Sequence, residues 1–363
     1  MKIVHTESSL GWGGQEIRVL QESRHLVDLG HEVSIVCDSE SLISGRHCNL
    51  APNVEVIKTR IKKKRLPDLL SVRSVLKSLA PDLVVCHSST DHWLTAVSRE
   101  TLGAKFPIIR MRHISAPINP NSRTRWLFTG GCESIISTGT GISQAIVEGG
   151  LASHAKVSSI PTGLDPLAFG RLCKEEARKR LGLRLDPVLI GIVATLRSWK
   201  GHDDLITAFS QLDNDTELLV VGDGPRASAL RDLTKSLGLD GRVKFVGHQE
   251  NVSEWLSALD IFVQPSYANE GVPQAILQAM ATGLPIVSCP IGGIPEAVAH
   301  YGAASLVPPR SPALLAQALR HTTSKLNQLP SRESLRFVPF SSAEMARQCE
   351  SLYRRTIDEF SNR

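Results

Sequence analysis

Short apolar runs rich in Val and Ile alternate along this chain with longer segments in which apolar residues recur every three to four positions, the pattern of parallel α/β units. The runs predict strands at Lys2 to His5, Glu32 to Cys37, Val54 to Lys58, Leu83 to His87, Pro107 to Met111, Ser134 to Ser137 and Val157 to Ile160. A second series is predicted at Val188 to Ala194, Glu217 to Val221, Val243 to Val246, Ile261 to Gln264, Pro285 to Ser288 and Ala304 to Val307. Helical periodicity lies between them, as at Glu16 to Leu29, Asp68 to Leu79 and Arg226 to Leu237, and returns at Ser342 to Phe360. Thirteen strands exceed an ordinary open sheet, so the pattern divides into two Rossmann-like, doubly wound parallel sheets. The expected organisation is a first domain over 1–164, a linker over 165–187, a second domain over 188–340, and a terminal helical segment over 341–363. The linker follows the turn-rich PTGLDP and holds a charged stretch from Lys174 to Arg184.

Composition narrows the class. A length of 363 residues suits two domains rather than one core, and 42% hydrophobic with 21% charged residues is ordinary for a globular protein. The seven cysteines are odd in number, scattered and free of C-x-x-C spacing, which suggests neither a disulfide framework nor a zinc site and points to a reducing compartment. Met1 to Val4 opens a strand directly, and no apolar run is long enough to span a bilayer, so a cytoplasmic protein is expected.

Charge is uneven. Residues 1–164 carry 19 Lys and Arg against 14 Asp and Glu, while the remainder balances at 22 against 22. The sharpest cluster is Lys58, Arg60, Lys62, Lys63, Lys64 and Arg65, followed by Arg73 and Lys77 in the next helix. Basic residues attract anionic lipid headgroups at about 1 kcal/mol each, so the cluster predicts peripheral contact with an anionic membrane, at the inner face of the plasma membrane. A solvated loop is the plain alternative. No aromatic residues interleave with the cluster, which argues against nucleic acid.

The densest chemistry lies between Pro265 and Glu296. Glu270 sits in a Gly/Pro turn that feeds a helical pattern carrying Ile276, Leu277 and Met280. A helix N-terminus presents unpaired N–H groups and partial positive charge, which suits a phosphate, and a neighbouring carboxylate accepts hydrogen bonds from sugar hydroxyls. An anion site beside a hydroxyl acceptor suits a nucleotide-sugar. In the loop after the strand at Val188 to Ala194, Arg197 and Lys200 are spaced to meet two phosphates. Gly11, Gly13 and Gly14 form a second Gly-rich loop before a helix; Glu16 occupies the place of the last glycine of G-x-G-x-x-G, so nicotinamide-cofactor binding with Asp38 as ribose acid is the weaker reading. Gly222, Gly224 and Pro225 make a further turn at a strand end, and Asp223 within it reads as solvent-facing.

These residues carry a resemblance. The block around Glu270 resembles the donor signature of the family 4 glycosyltransferases, in which a Glu in a Ser/Glu/Gly/Pro loop is followed eight positions later by a second Glu; here that position is Gln278. Coverage extends over nearly the whole chain. The resemblance implies a GT-B fold, with ligand between two Rossmann-like domains and the terminal helix crossing back onto the first. Glu270 would hold the donor sugar with Gly271, Val272, Pro273 and Gln274, the first loop with Gly13 and Gly14 would lie over the donor phosphates, and Gly222 would belong to a mostly architectural turn. Val246, Gly247 and His248 would lie where the nucleotide base stacks. His113, just past a strand end in RMRHISAP, is similar to the family's active-site histidine. Many members place an Arg five residues before the Lys equivalent to Lys200; here that position is Thr195, so Arg197 is expected to take the role. Arg123, Arg125 and Trp126 are expected to line the acceptor entrance.

The implied reaction is transfer of a hexose from a UDP- or GDP-sugar, with retention at the anomeric carbon, to a glycan or lipid-linked acceptor in lipopolysaccharide or other cell-surface polysaccharide synthesis. No cofactor or metal is expected, since Arg197, Lys200 and a helix N-terminus supply the charge and no D-x-D sits at a strand end; Asp203 and Asp204 read as a first-turn pair. The alternatives are a nucleotide-sugar epimerase or phosphorylase on the same fold, and a noncatalytic nucleotide-sugar-binding protein, motivated by Gln278 and Thr195.

Overall fold

The computed structural model describes residues 1–362. It divides into two compact units, Met1–Gly163 with the C-terminal segment from Phe340, and Leu164–Pro339.

In the first unit, β1 (Lys2–Glu7), β2 (Glu32–Asp38), β3 (Glu55–Thr59), β4 (Leu83–Cys86), β5 (Ile108–Arg112), β6 (Ser134–Ser137) and β7 (Val157–Ser159) form one sheet in the order β3-β2-β1-β4-β5-β6-β7. Every pairing is parallel; Ile3 faces Val33 on one side and Leu83 on the other. In the second unit, β8 (Val188–Val193), β9 (Thr216–Val221), β10 (Val243–Gly247), β11 (Ile261–Gln264), β12 (Ile286–Ser288) and β13 (Ala304–Leu306) run parallel in the order β10-β9-β8-β11-β12-β13. The thirteen strands are those the apolar runs predict, shifted at the ends by one or two residues.

Helices cover both faces of each sheet, which explains why central strands read as continuous apolar runs rather than as alternation. Ile3 and Ile35 belong to one core layer of the first unit, while Val4, Val36 and Val84 belong to the layer on the opposite face. In the second unit Ile190, Ile192 and Val263 pack on one face, and Leu189, Phe262 and Ile286 on the other. Each such side chain, removed from water, contributes about 1.5–3 kcal/mol.

Strand order reverses between β1 and β4 in the first sheet and between β8 and β11 in the second. In an open parallel sheet such a switch point leaves a crevice at the carboxyl ends of the strands, where ligands bind. Three of the loops singled out in the sequence, those after β1, β8 and β11, leave the strands at these points.

The terminal helix Ser342–Ser361 packs on helix Gly14–Asp28 of the first unit. Its apolar stripe of Met345, Ala346, Cys349, Leu352 and Tyr353 is buried, the Tyr353 hydroxyl donates to the Glu22 carboxylate, and Ser341 caps it by accepting from the Glu344 N–H at 3.1 Å.

The charged stretch placed in a linker is instead built into the second unit. Helix Lys174–Arg180 buries Ala177 against Leu189, Phe262 and Met280. Arg178 is 1% exposed and donates to the carbonyls of Ala258 (2.9 Å), Leu185 (2.7 Å) and Pro187 (3.0 Å) while pairing with Asp260 at 2.5 Å. A guanidinium with five donors serves a carbonyl at a helix end and two in the loop before β8 at once, so a residue that reads as surface charge works as a core brace.

Candidate functional site

In the second unit the loop after β8 and the loop after β11 leave adjacent strands, and this brings Lys200 to Glu270. The ammonium donates to both carboxylate oxygens, at 2.7 and 3.0 Å, and the Gln264 amide donates to one of them at 3.3 Å. Glu270 is 4% exposed, so its charge is balanced by Lys200 rather than by water. Gln264 ends β11 and is the one member of this cluster absent from the sequence reading; inside an otherwise apolar strand, a buried Gln was the available signal.

Two glycines make the loop geometry possible. Gly292 has φ +60°, and a Cβ there would lie 2.1 Å from the Glu270 carbonyl oxygen. Gly201 has φ +75° at the end of the Lys200 turn, and its Cβ would meet the Pro265 carbonyl at 2.1 Å. In both places backbone passes backbone at a distance only glycine permits. The loops are further tied by Tyr267 N–H donating to Trp199 O at 2.9 Å and by Gly293 N–H donating to Gly271 O at 2.8 Å.

Helix Gln274–Thr282 begins directly after the Glu270 turn, with Pro273 in the capping position and no side-chain cap. The positive end of the helix thus follows the Glu270 turn directly, and the Ile276 N–H bonds back to the Pro273 carbonyl at 3.2 Å. Gly271, Val272, Pro273 and Gln274 are all buried around this end, and Gln278 lies one turn further on, half-buried. Arg197 is exposed, with its guanidinium carbon 5.4 Å from the centre of the Trp199 ring. Thr195, exposed at the start of the same turn, accepts from the Arg197 N–H at 2.8 Å.

The base-side residues lie at the end of β10. The pairing of β10 with β9 shifts register between Phe245 and Gly247, which leaves Val246 in a bulge. Gly247 O accepts from the Gly222 N–H at 2.8 Å, so the GDGP turn and the β10 end support one another, and His248 is exposed beyond them. Trp255 Nε1 donates to the Gln249 side chain at 3.1 Å, and Gln249 in turn donates to Val246 O at 2.8 Å, pinning the bulge.

In the first unit, Gly13 caps helix Gly14–Asp28 in extended backbone, φ −172°. Glu7, at the end of β1, is fully buried and accepts from the Ser9 N–H at 2.8 Å and from Gln15. Burial first, then the neighbouring Asp91 and Glu16, hold its carboxyl well above the usual range. His113 follows β5 and joins a chain the sequence did not reveal. His113 Nε2 lies 3.0 Å from His87 Nδ1, and His87 Nε2 lies 2.9 Å from His5 Nδ1. Burial pushes all three imidazoles below their usual pKa, with Arg18, Arg110 and Arg112 adding to the effect at His113. His113 is thus a neutral hydrogen-bonding group at pH 7.

The residues expected at the acceptor entrance lie on helix Ser122–Thr129. Arg123 and Arg125 are exposed and Trp126 is 37% exposed; Arg125 donates to Pro120 O at 3.1 Å and Gly150 O at 3.2 Å. A pocket of about 200 Å³ lies alongside, between loop residues Ile114, Pro117 and Ile118 and helix residues Ile142 and Ile146. The basic cluster surrounds the start of helix Leu66–Leu79. Lys62 pairs with Glu40 at 2.5 Å, and Leu66 and Leu70, one turn apart, are 66% and 54% exposed between the cluster and Arg73. Among the described residues no helix is long and apolar enough to cross a membrane, and no three His, Cys, Asp or Glu side chains gather to hold a metal ion.

Two parallel α/β units of seven and six strands define a GT-B glycosyltransferase fold. The structure superposes on that of Anabaena Alr3699/HepE in complex with UDP and glucose, with a TM-score of 0.82 over 97% of this chain and 99% of that one, at 20% identity. It also matches a glycosyltransferase from Rickettsia africae, with a TM-score of 0.84 over 98% of each chain, again at 20% identity. The family model described as Glycosyltransferase Family 4 matches residues 12–166, and the one described as Glycosyl transferases group 1 matches residues 173–333. Curated relatives include N-acetyl-alpha-D-glucosaminyl L-malate synthase of Bacillus anthracis, 22% identical over 79% of this chain and 78% of that protein. D-inositol 3-phosphate glycosyltransferase of Corynebacterium urealyticum is 28% identical over 87% of this chain and 84% of its own length. The chain belongs to the family 4 glycosyltransferases and is a hexosyltransferase.

Proposed function

We propose that this enzyme moves a hexose from a UDP- or GDP-sugar, with retention, to a glycan or lipid-linked acceptor in the assembly of a cell-surface polysaccharide such as lipopolysaccharide. The observation that carries the reading is the Lys200–Glu270 pair, 2.7 Å apart beside the uncapped start of helix Gln274–Thr282. Cation, hydroxyl acceptor and the positive end of a helix converge there, and a nucleoside diphosphate-sugar uses all three. The Anabaena structures with UDP, glucose and UDP-glucose, and a structural neighbour described as involved in lipopolysaccharide biosynthesis, favour this donor class and pathway.

Glu270 accepts hydrogen bonds from the hexose hydroxyls, with Gly271, Val272 and Gln274 closing the loop around it; Pro273 has no N–H to give. As the bond from the anomeric carbon to the diphosphate breaks, the electron pair leaves with the diphosphate oxygen. Lys200, Arg197 and the helix N-terminus stabilise that charge, so the reading needs no metal or cofactor. The acceptor hydroxyl oxygen bonds to the same face of the anomeric carbon and passes its proton to the leaving phosphate oxygen. Gln278 keeps a carbonyl oxygen for the ribose but lacks a carboxylate's charge, a difference of about 1 kcal/mol. Val246, Gly247 and His248 receive the base, Gly222 shapes the adjoining turn, and Gly13 and Gly14 approach the phosphates. His113 hydrogen-bonds the transferred sugar.

Arg123 and Trp126 meet the acceptor, and the apolar pocket beside Ile114 favours one with a lipid portion. Lys58, Arg60, Lys62, Lys63, Lys64 and Arg65, with Leu66 and Leu70, hold the protein peripherally on an anionic membrane at its cytoplasmic face. Gln278 and Thr195 favour the second reading, a nucleotide-sugar sensor that binds donor without turning it over.

The deciding experiment is nucleoside diphosphate release from UDP-glucose, UDP-N-acetylglucosamine, UDP-galactose and GDP-mannose, with chelator present and no acceptor added. Slow release from one donor is expected. Tight binding of a donor that stays intact even when lipid-linked glycans are supplied would leave the sensor reading instead.

A further inference from the structure

His5, His87 and His113 form a series of three imidazoles at β1, β4 and β5 of the first unit. Their rings stack with centroids 5.2 Å apart at both steps and interplanar angles of 25° and 26°, and the bonded nitrogens are 2.9 and 3.0 Å apart. His5 is fully buried and His87 is 2% exposed, while His113 forms the more open end. Among the described residues, Nε2 of His5 has no hydrogen-bond partner.

A neutral imidazole has one N–H and one lone pair, so in such a chain the proton position on any ring dictates that on the other two. Two polarities are open. Running outward, His5 Nδ1–H donates to His87 Nε2, His87 Nδ1–H donates to His113 Nε2, and His113 is left with its proton on Nδ1. Running inward, His113 and His87 each carry their proton on Nε2, and His5 ends with an N–H at its own Nε2, where no acceptor lies. Buried N–H groups without acceptors are the rarer kind of orphan. The charged groups nearest His5 are Arg18 and Glu22, with Arg18 Nε 3.5 Å from the Glu22 carboxylate and Glu22 accepting from the Tyr353 hydroxyl; neither comes within hydrogen-bond reach of His5 Nε2. At the outer end burial and the cations Arg18, Arg110 and Arg112 oppose a second proton on His113.

We propose that His5 and His87 are positioning residues that hold His113 in its Nδ1–H form, so that it always meets the sugar as a hydrogen-bond donor to a hydroxyl oxygen. Neither inner histidine touches substrate. The inference rests on the reading that His113 contacts the transferred sugar.

The full chain labelled with 15N-histidine tests it, through two-bond 15N–1H spectra of the imidazoles at pH 7.5, with the His113 signals identified by their loss in His113→Ala. Nδ1–H is expected for His113 in the unaltered protein. His5→Phe keeps the volume and the stack but removes the donor that starts the chain; it is expected to shift His113 towards Nε2–H and to slow nucleoside diphosphate release about tenfold, the scale of one hydrogen bond. His5→Asn, whose amide N–H stands near the place of Nδ1, is expected to restore both. Nε2–H on His113 in the unaltered protein, or an unchanged tautomer in His5→Phe, overturns the proposal. Should His5→Phe fail to fold, the spectrum of the unaltered protein still decides. The expected tautomers together with full turnover in His113→Ala would leave the relay standing and remove the sugar contact.

Discussion

Lys200 Nζ lies 2.7 Å from one carboxylate oxygen of Glu270 and 3.0 Å from the other, across 70 residues of sequence. In the protein without donor each charge is the other's solvent. Glu270→Ala removes the hydroxyl acceptor and leaves Lys200 without its partner, and a loss of at least about 100-fold in turnover is expected from steady-state donor release. Gln278→Glu, which adds the carboxylate many family members have, is expected to leave turnover intact or tighten donor binding. Equal and mild effects of both would sink the assignment of the donor site.

The pair acts as a unit. Lys200→Ala is expected to lower turnover about 10²- to 10³-fold, and the double variant with Glu270→Ala to fall little below Glu270→Ala alone. A double-mutant cycle in kcat/KM measures this; losses that simply multiply would mean that the two residues act separately.

Gly292→Ala tests the loop rather than its charges. The new Cβ would stand 2.1 Å from the Glu270 carbonyl at φ +60°. A stability loss of at least about 1–3 kcal/mol is expected from the backbone conformation alone, with a raised KM for donor as the Glu270 turn is displaced. Gly302→Ala, with nothing within 4 Å of its Cβ, is the control and should change neither.

Stability should fall steeply on acidification. Burial lowers the pKa of His5, His87, His92, His113 and His202, the last to about 4. Below about pH 6.5 the unfolded chain takes up protons that the folded protein refuses, so these groups favour folding above that pH and progressively less as pH falls towards 4. Glu7 and Asp91, raised by burial, act in the opposite sense but are fewer. At pH 5, His202 alone corresponds to about 2 kcal/mol. Thermal unfolding at pH 7 and pH 5 should therefore show a large drop in Tm that His202→Phe reduces; an unaltered drop would mean that His202 titrates normally.

Leu66 and Leu70 should matter to membrane contact as much as the charges around them. Co-sedimentation with vesicles of anionic lipid is expected to weaken about tenfold on replacing Lys63, Lys64 and Arg65 by Ala, to weaken again with Leu66→Ser and Leu70→Ser, and to decline with salt. Equal binding to neutral vesicles would exclude the electrostatic part of this reading.

Much of the fold was legible because its signals are local. A strand buried on both faces must be apolar throughout, so the runs at Ile3–Val4 and Leu218–Val221 declare themselves without reference to any partner. Glu270 and Lys200 were legible for a similar reason, each standing in a loop whose glycines and prolines mark a turn at a strand end. Arg178 was not: a charged residue in a charged segment reads as surface until the carbonyls it serves are known, and those come from Ala258, Leu185 and Pro187. Gln264 and His87 were hidden likewise, as polar residues at the ends of apolar runs.

By itself, then, the sequence determined the succession of strands and helices and the positions of the Gly- and Pro-rich loops at the strand ends, because propensity, periodicity and turn chemistry act over a few residues. Only the tertiary structure decided which of those loops meet. Strand order puts β8 beside β11, and so Lys200 against Glu270; it puts β1, β4 and β5 side by side, and so joins His5, His87 and His113 in one chain. Those neighbours are chosen by long-range packing of the sheet, and burial then makes the partner, rather than water, decide each group's charge and hydrogen bonding.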